Sequence, residues 1–297
     1  MIHTGLDGTI LIAFRSFFVK AYYASLRSST TMNHIRFLCL LFSTSSSTAI
    51  VATSAYNLNN PTMKAWTCHG RTQKELVQQL KSAGIIFSPQ VENVMTRVDR
   101  SYFTSTSPYQ DAPQPIGQGQ TISAPHMHAH VLELLVPRLV TAKPPLAVLD
   151  VGCGSGYLTA CLAELVHDKG KDTGSQVYGI DVWPNLIQMS THNINKYNPE
   201  LLKSGTITLS VGDGWKGFPE KRFDAIHVGA AASEIPQALL MQLKLDGILI
   251  VPVGPSGGVQ VLYQVERVHE STVFQNKDFL IKELLGVRYV PLIHPDD

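Results

Sequence analysis

The sequence predicts an α/β protein built on a doubly wound, mostly parallel sheet. Three observations carry that prediction. From Leu146 onward short apolar strands alternate with helical patterns. A glycine-rich loop, Gly152-Cys153-Gly154-Ser155-Gly156, joins the first of these strands to the helix after it. An acid stands at or just beyond the end of each of the first three strands: Asp150, Asp181 and Asp213.

The elements follow in order. Thr72-Gln73-Lys74-Glu75 is a capping-box pattern, and Leu76, Val77 and Leu80 share one face of the helix it opens. Gly84 is the expected stop. Ser88-Pro89 starts a second helix with Val91, Val94, Met95 and Val98 on its apolar side. Residues 105–124 read as a loop rich in Pro and Gly. So long an irregular segment inside a compact domain usually carries function or is disordered. Pro125 opens a third helix. Strands are then expected at 146–151, 177–181, 206–211, 224–228 and 247–253. Helices over 158–166 and 184–197, and one opening at Pro236, alternate with them. Two closing strands are expected at 259–268 and 283–290.

Composition narrows the function classes. Of the 297 residues, 44% are hydrophobic and 16% charged, enough apolar material for a sizeable core. A formal net charge of +1 gives no support to phosphate-backbone binding. Four cysteines in 297 residues are too few for a disulfide scaffold, and without C-x-x-C spacing they offer no structural zinc pattern. The near-neutral total hides a seam. Residues 1–62 hold four basic residues and one acid, while residues 63–297 hold 20 basic and 22 acidic. The first segment is also rich in Ser and Thr, the composition of an organelle transit peptide. Its other readings are an untargeted extension or a mis-set start, with Met63 as the true one. The expected division is therefore 1–62 as extension and 63–297 as the functional domain.

The glycine loop is G-x-G-x-G with Tyr157 next, so it fails the G-x-G-x-x-G dinucleotide fingerprint. Asp150, two residues before its first glycine, would repel a pyrophosphate but suits a ligand carrying an amine or sulfonium. Asp181 stands where an acid grips a ribose diol. Gly212-Asp213-Gly214 is placed to meet an adenine edge. Together these residues read as a site for S-adenosylmethionine. His126, His128 and His130 sit at i, i+2, i+4, which puts only His126 and His130 on one helix face, and no metal is expected.

From Met63 on, the chain resembles the protein-L-isoaspartate (D-aspartate) O-methyltransferase family. The resemblance rests on Asp99-Arg100, Pro115-Ile116-Gly117-Gln118-Gly119-Gln120-Thr121-Ile122-Ser123, Pro125-His126-Met127, the glycine loop, Val211-Gly212-Asp213-Gly214, Asp224 to Ala231, and Pro252-Val253-Gly254-Pro255. It implies a class I S-adenosylmethionine-dependent methyltransferase fold, with a seven-stranded sheet and added N-terminal helices. It also implies methyl transfer to the free α-carboxylate of isoaspartyl or D-aspartyl residues. The ester then collapses to a succinimide that can reopen to normal aspartate. By family position Ser123 is the active-site serine. Gln120, Thr121, Ile122 and His128, with Asp150, Gly152, Gly154, Gly156, Asp181, Asp213 and Gly214, are expected to hold the cofactor. Ile116, Gly117, Val228, Ala230 and Ala231 are expected to meet the substrate. The chain departs from the family at Cys153, at Val182-Trp183, at Trp215 where Arg is common, and at Ile293 where Thr is frequent.

The implied chemistry suits these residues. A carboxylate with an ordinary pKa near ~3.9 is already ionised at neutral pH and needs no general base. Positioning is what remains, and it can supply ~7–11 kcal/mol. Ser123 is accordingly expected to orient rather than attack, since no G-x-S-x-G elbow surrounds it. Its bland reading is an N-cap for the helix at Pro125. Residues 113–123 and 228–231 are expected to offer backbone to an extended peptide, as in strand addition. The rival readings are a methyltransferase of another carboxylate and a cofactor-binding adaptor without catalysis. The expected partners are isoaspartyl proteins and peptides, with neither nucleic acid nor stable membrane association, and the chain is expected to be a cytoplasmic monomer. Residues 1–62 leave a mitochondrial or other organellar location open.

Overall fold

The structure is a computed structural model and describes residues 68–167 and 174–295. The expected extension, its targeting reading, the alternative start at Met63 and the boundary at 62/63 lie outside the described residues.

Helix α1 spans Gln73–Ser82. Thr72 Oγ1 accepts the Glu75 N–H at 3.2 Å, and Glu75 reaches back to the Arg71 N–H at 2.8 Å, one residue earlier than in the usual box. Gly84 follows the helix at φ +74°, the left-handed conformation that ends helices cheaply. Helix α2 spans Pro89–Arg97, but Ser88 makes no capping bond to it. A carboxylate takes over that region instead. Glu133, buried on the next helix, accepts the Phe87 and Ser88 N–H groups at 2.9 and 2.8 Å and also the Ser88 hydroxyl. A short 3₁₀ turn, Arg100–Tyr102, follows.

The stretch expected to be an irregular loop contains a two-stranded antiparallel hairpin, β1 (Gln114–Gly117) and β2 (Gln120–Ile122). Its turn runs through three consecutive residues with positive φ: Gly117 at +93°, Gln118 at +53° and Gly119 at +68°. The glycines that suggested a loop are those that make the tight reversal. Helix α3 spans Pro125–Thr141, and its N-cap is Ala124, with no side-chain capping bond. The capping role for Ser123 therefore does not hold.

The main sheet contains β3 (Ala147–Val151), β4 (Gln176–Asp181), β5 (Ile207–Val211), β6 (Phe223–Val228), β7 (Leu243–Val253), β8 (Gln260–Arg267) and β9 (Phe279–Val287). Its order is β5-β4-β3-β6-β7-β8-β9. The first five in that order run parallel, and β8 runs antiparallel to both its neighbours, β7 and β9. Helices α4 (Tyr157–His167), α5 (Pro184–Tyr197), α6 (Glu200–Lys203) and α7 (Gln237–Met241) connect them. Alternate strand residues feed two apolar clusters. Val148 and Ala225 join residues of α1 to α6 on one face, while Leu149, Val151, Ile226 and Val228 join α7 on the other. Strands buried on both faces read as continuous apolar runs, which is how they stood out in the sequence.

Two strand boundaries differ from expectation. β7 begins at Leu243, where its pairing with β6 shifts register and Asp246 takes φ +59°. β9 starts and stops earlier than 283–290, because Val290 belongs to a separate tail that pairs with Ala231.

Candidate active site

A cleft opens at the carboxyl ends of β3, β4 and β6, where the strand order reverses direction around β3. This is the place where open α/β sheets bind ligands.

The glycine loop forms its floor. Gly152, Gly154 and Gly156 all have positive φ, so the chain makes a coil that residues with a Cβ adopt only under strain. The Gly152 N–H bonds to Ile180 O at 2.8 Å, tying the loop to β4. Asp181 ends β4 and binds both sides of the turn. Its Oδ2 accepts the Gly154 N–H at 3.0 Å and its Oδ1 accepts the Trp183 N–H at 3.1 Å. Burial raises its pKa above the ordinary 3.8, and these two bonds oppose that shift.

Hairpin β1–β2 supplies a second wall through Ile116, Gln120 and Thr121. A Cβ on Gly154 would lie 3.2 Å from Ile116 Cδ1, so the hairpin packs directly onto the glycine loop. Gly214 and Ala230 add further wall. The remaining side is the tail. Val290, Pro291, Leu292 and Ile293 line the cleft, and the tail is stitched to Ala231 through Ala231 N–H to Val290 O (2.7 Å) and Leu292 N–H to Ala231 O (2.8 Å).

Of the expected cofactor residues, Gln120, Thr121, Gly152, Gly154, Asp181 and Gly214 meet at this cleft. The others stand behind it. Ile122 is buried in the core at 3% exposure. Gly156 lies against Ser190 and Ile194 of α5. The Asp150 carboxylate is 1% exposed and turned under the loop, accepting from Thr159 Oγ1 at 2.6 Å and lying 2.8 Å from His227 Nδ1. Asp213 organises its own turn, with Oδ1 accepting the Trp215 N–H at 2.9 Å and Oδ2 3.0 Å from Lys216 Nζ. His128 sits in a buried cluster, its Nδ1 3.1 Å from Arg100 Nη1 and its ring 4.9 Å from that of Tyr157. Burial, then the Arg100 charge, holds its pKa well below 6.5.

Ser123 directly follows β2, is half-buried and does not line the cleft. Its carbonyl accepts from Arg100 Nη2 at 2.7 Å, and its hydroxyl has no protein partner among the described residues. Among the expected substrate residues, Ile116 and Ala230 reach the cleft and Gly117 is exposed at the hairpin turn. Val228 is fully buried within β6, and Ala231 has spent both backbone groups on the tail. Strand addition at these two residues does not hold: Val228 is paired with Val151 inside the sheet, and the protein's own tail occupies Ala231.

Sequence reasoning missed four contributors. Trp183 and Leu186, after β4, line the cleft, as does the tail 290–293. Arg100, fully buried behind Ser123, was legible only as part of a motif. The departures at Trp183 and Ile293 were the available signal. Among the described residues no group of three or more His, Cys, Asp or Glu is placed to hold a metal ion, and no helix is long and apolar enough to cross a membrane.

A seven-stranded, mostly parallel sheet with a glycine loop and an acid facing one cleft defines the class I S-adenosylmethionine-dependent methyltransferases. Comparison with known proteins narrows this. Residues 71–296 match the model of the Protein-L-isoaspartate(D-aspartate) O-methyltransferase (PCMT) family, and the chain belongs to that family. It is 41% identical over 206 residues to the protein-L-isoaspartate O-methyltransferase of Caenorhabditis elegans, covering 69% of this chain and 88% of the relative. It is 44% identical over 223 residues to protein-L-isoaspartate O-methyltransferase 1 of Arabidopsis thaliana, covering 74% and 90%. A crystal structure described as a beta-aspartate methyltransferase (PCMT) from Plasmodium falciparum, in complex with S-adenosyl-L-homocysteine, superposes with a TM-score of 0.67 at 36% identity. That match covers 75% of this chain and 99% of the other.

Proposed function

We propose that the protein methylates the free α-carboxylate of L-isoaspartyl, and D-aspartyl, residues in damaged proteins and peptides, opening their route back to aspartate. The observation that carries this is one cleft walled by both the glycine loop with Asp181 and the Ile116–Thr121 hairpin. The first is general to the class, and the second carries the family's own segment. When bound there, S-adenosylmethionine supplies an electrophilic methyl group on a good leaving group.

The residues of this chain then bind and orient. Asp181 is the ribose ligand, already fixed by two backbone N–H bonds. Gly152, Gly154 and Gly214 let the backbone approach the cofactor. The Ser123 hydroxyl, with no protein partner, is free to donate to the substrate carboxylate, while Arg100 fixes the Ser123 backbone. No proton need be removed, so none of these groups acts as a base. Ile116, Gly117 and Ala230 face the peptide. The substrate is a peptide or protein rather than nucleic acid or a membrane.

Conversion of a synthetic isoaspartyl peptide tests this reading. With protein and cofactor, chromatography should show loss of the isoaspartyl form and growth of succinimide and aspartyl forms. An unchanged peptide despite cofactor binding would contradict it. We also read the chain as a cytoplasmic monomer, with residues 1–62 the segment able to redirect it. Light scattering near 33 kDa and diffuse fluorescence from a tagged full chain are expected. A dimer mass or organellar fluorescence would overturn the corresponding part.

A further inference from the structure

The tail that closes the cleft is fastened at its far end by two side chains. Trp215 Nε1 donates to Leu292 O at 3.2 Å. The His294 ring stacks on the Trp215 ring, with centroids 5.1 Å apart and planes 14° from parallel. Trp215 is itself anchored by its N–H bond to Asp213 Oδ1. Beneath the fastening, Gly214 makes room, since a Cβ there would lie 3.1 Å from Leu292 Cδ1. The near end is fixed separately: Gln260 brackets Tyr289, with Nε2 donating to Tyr289 O at 3.1 Å and Oε1 accepting the Tyr289 N–H at 2.6 Å. Between these ends two backbone bonds to Ala231, in the segment after β6, attach the tail.

We propose that Trp215 and His294 form a clasp that holds tail residues 290–293 across the cofactor cleft, and that this clasp governs how long the spent cofactor stays bound. Trp215 and His294 are positioning residues in this account, since neither lines the cleft. A ligand lying between the glycine loop, the hairpin and the tail is retained in part by the tail, so a tail that swings away widens its way out. The loop is locked to β4 and the hairpin is packed on the loop, whereas the tail is held by a few hydrogen bonds, the Trp215–His294 stack and the packing of Leu292. Product release limits turnover in many enzymes whose sites close in this way. The proposal rests on the cleft being the cofactor site.

Three proteins separate the outcomes: the wild-type full chain, Trp215→Phe and His294→Ala. Trp215→Phe keeps the stack and removes the indole N–H. His294→Ala removes an exposed ring and leaves the fold's interior untouched. Calorimetry of the wild type with S-adenosylhomocysteine comes first, and absence of binding would sink the cofactor reading itself. Given binding, stopped-flow displacement should show the dissociation rate rising roughly 2- to 12-fold in each variant, the span expected for one modest interaction. Hydrogen exchange on the ligand-free proteins should speed up at the amides of Ala231 and Leu292 and stay unchanged in β3 and β6. Unchanged dissociation rates in both variants, with wild-type binding intact, would overturn the clasp alone. So would faster exchange throughout the sheet, which marks Trp215 as a general stability residue.

Discussion

Asp181 holds the glycine loop on one oxygen and the start of α5 on the other, so its charge is committed to shaping the cleft before any ligand arrives. Hydrogen bonds to an ionised group are worth ~1.5–3 kcal/mol. Asp181→Ala should therefore raise the cofactor dissociation constant by roughly 10- to 100-fold, measured by calorimetry; an unchanged constant would remove it from the site. Its raised pKa means that affinity should decline at a higher pH than for an ordinary carboxylate at 3.8. His128 governs stability instead. The unfolded chain takes up a proton near 6.5, whereas the buried ring, beside Arg100, resists it. Its contribution is thus complete above about 6.5 and is lost as pH falls, at up to ~1.4 kcal/mol per pH unit. His128→Gln should flatten the fall in melting temperature between about pH 6.5 and 5; an identical slope would show that other groups cause it. Asp150 and Asp213 were equally visible as strand-end acids. One faces His227 and the other its own turn, a distinction that only side-chain direction makes.

Hairpin β1–β2 stands outside the main sheet and presents Ile116 to the glycine loop. Gly117 turns at φ +93°, where a Cβ costs about 1–2 kcal/mol. Gly117→Ala should weaken cofactor binding several-fold with the melting temperature nearly unchanged, because the strain falls on a local element. A large loss of melting temperature would place the hairpin within the folding core. Glu133 has the opposite profile. It satisfies two backbone N–H groups and one hydroxyl at the start of α2, so Glu133→Ala should destabilise the protein by at least ~2 kcal/mol in denaturant unfolding. Loss of less than ~0.5 kcal/mol would show that water replaces the carboxylate. The sequence spoke clearly for α1, whose capping box and apolar face lie within eleven residues. It was mute on α2's true cap, since nothing local links Ser88 to a residue 45 positions away.

At the scale of the molecule, the parallel core was legible because its strands are buried on both faces and glycine or an acid marks their ends. The tail was not. Pairing of Val290 and Leu292 with Ala231 joins segments some 60 residues apart, and the apolar run near Val290 reads equally well as the end of β9. The same pairing occupies the Ala231 backbone that strand addition would have needed, so the proposed approach of a substrate peptide is from the hairpin side. Chemistry on that side asks little of the residues beyond placement, since the nucleophile is ionised and the leaving group is good. The central claim is therefore selectivity for one carboxylate in one geometry. Its most direct test is to incubate the full chain with methyl-labelled S-adenosylmethionine and a matched peptide pair, isoaspartyl and normal aspartyl, and to count base-labile methyl label. The account predicts label on the isoaspartyl peptide alone; equal label on both peptides, or none on either, would contradict it.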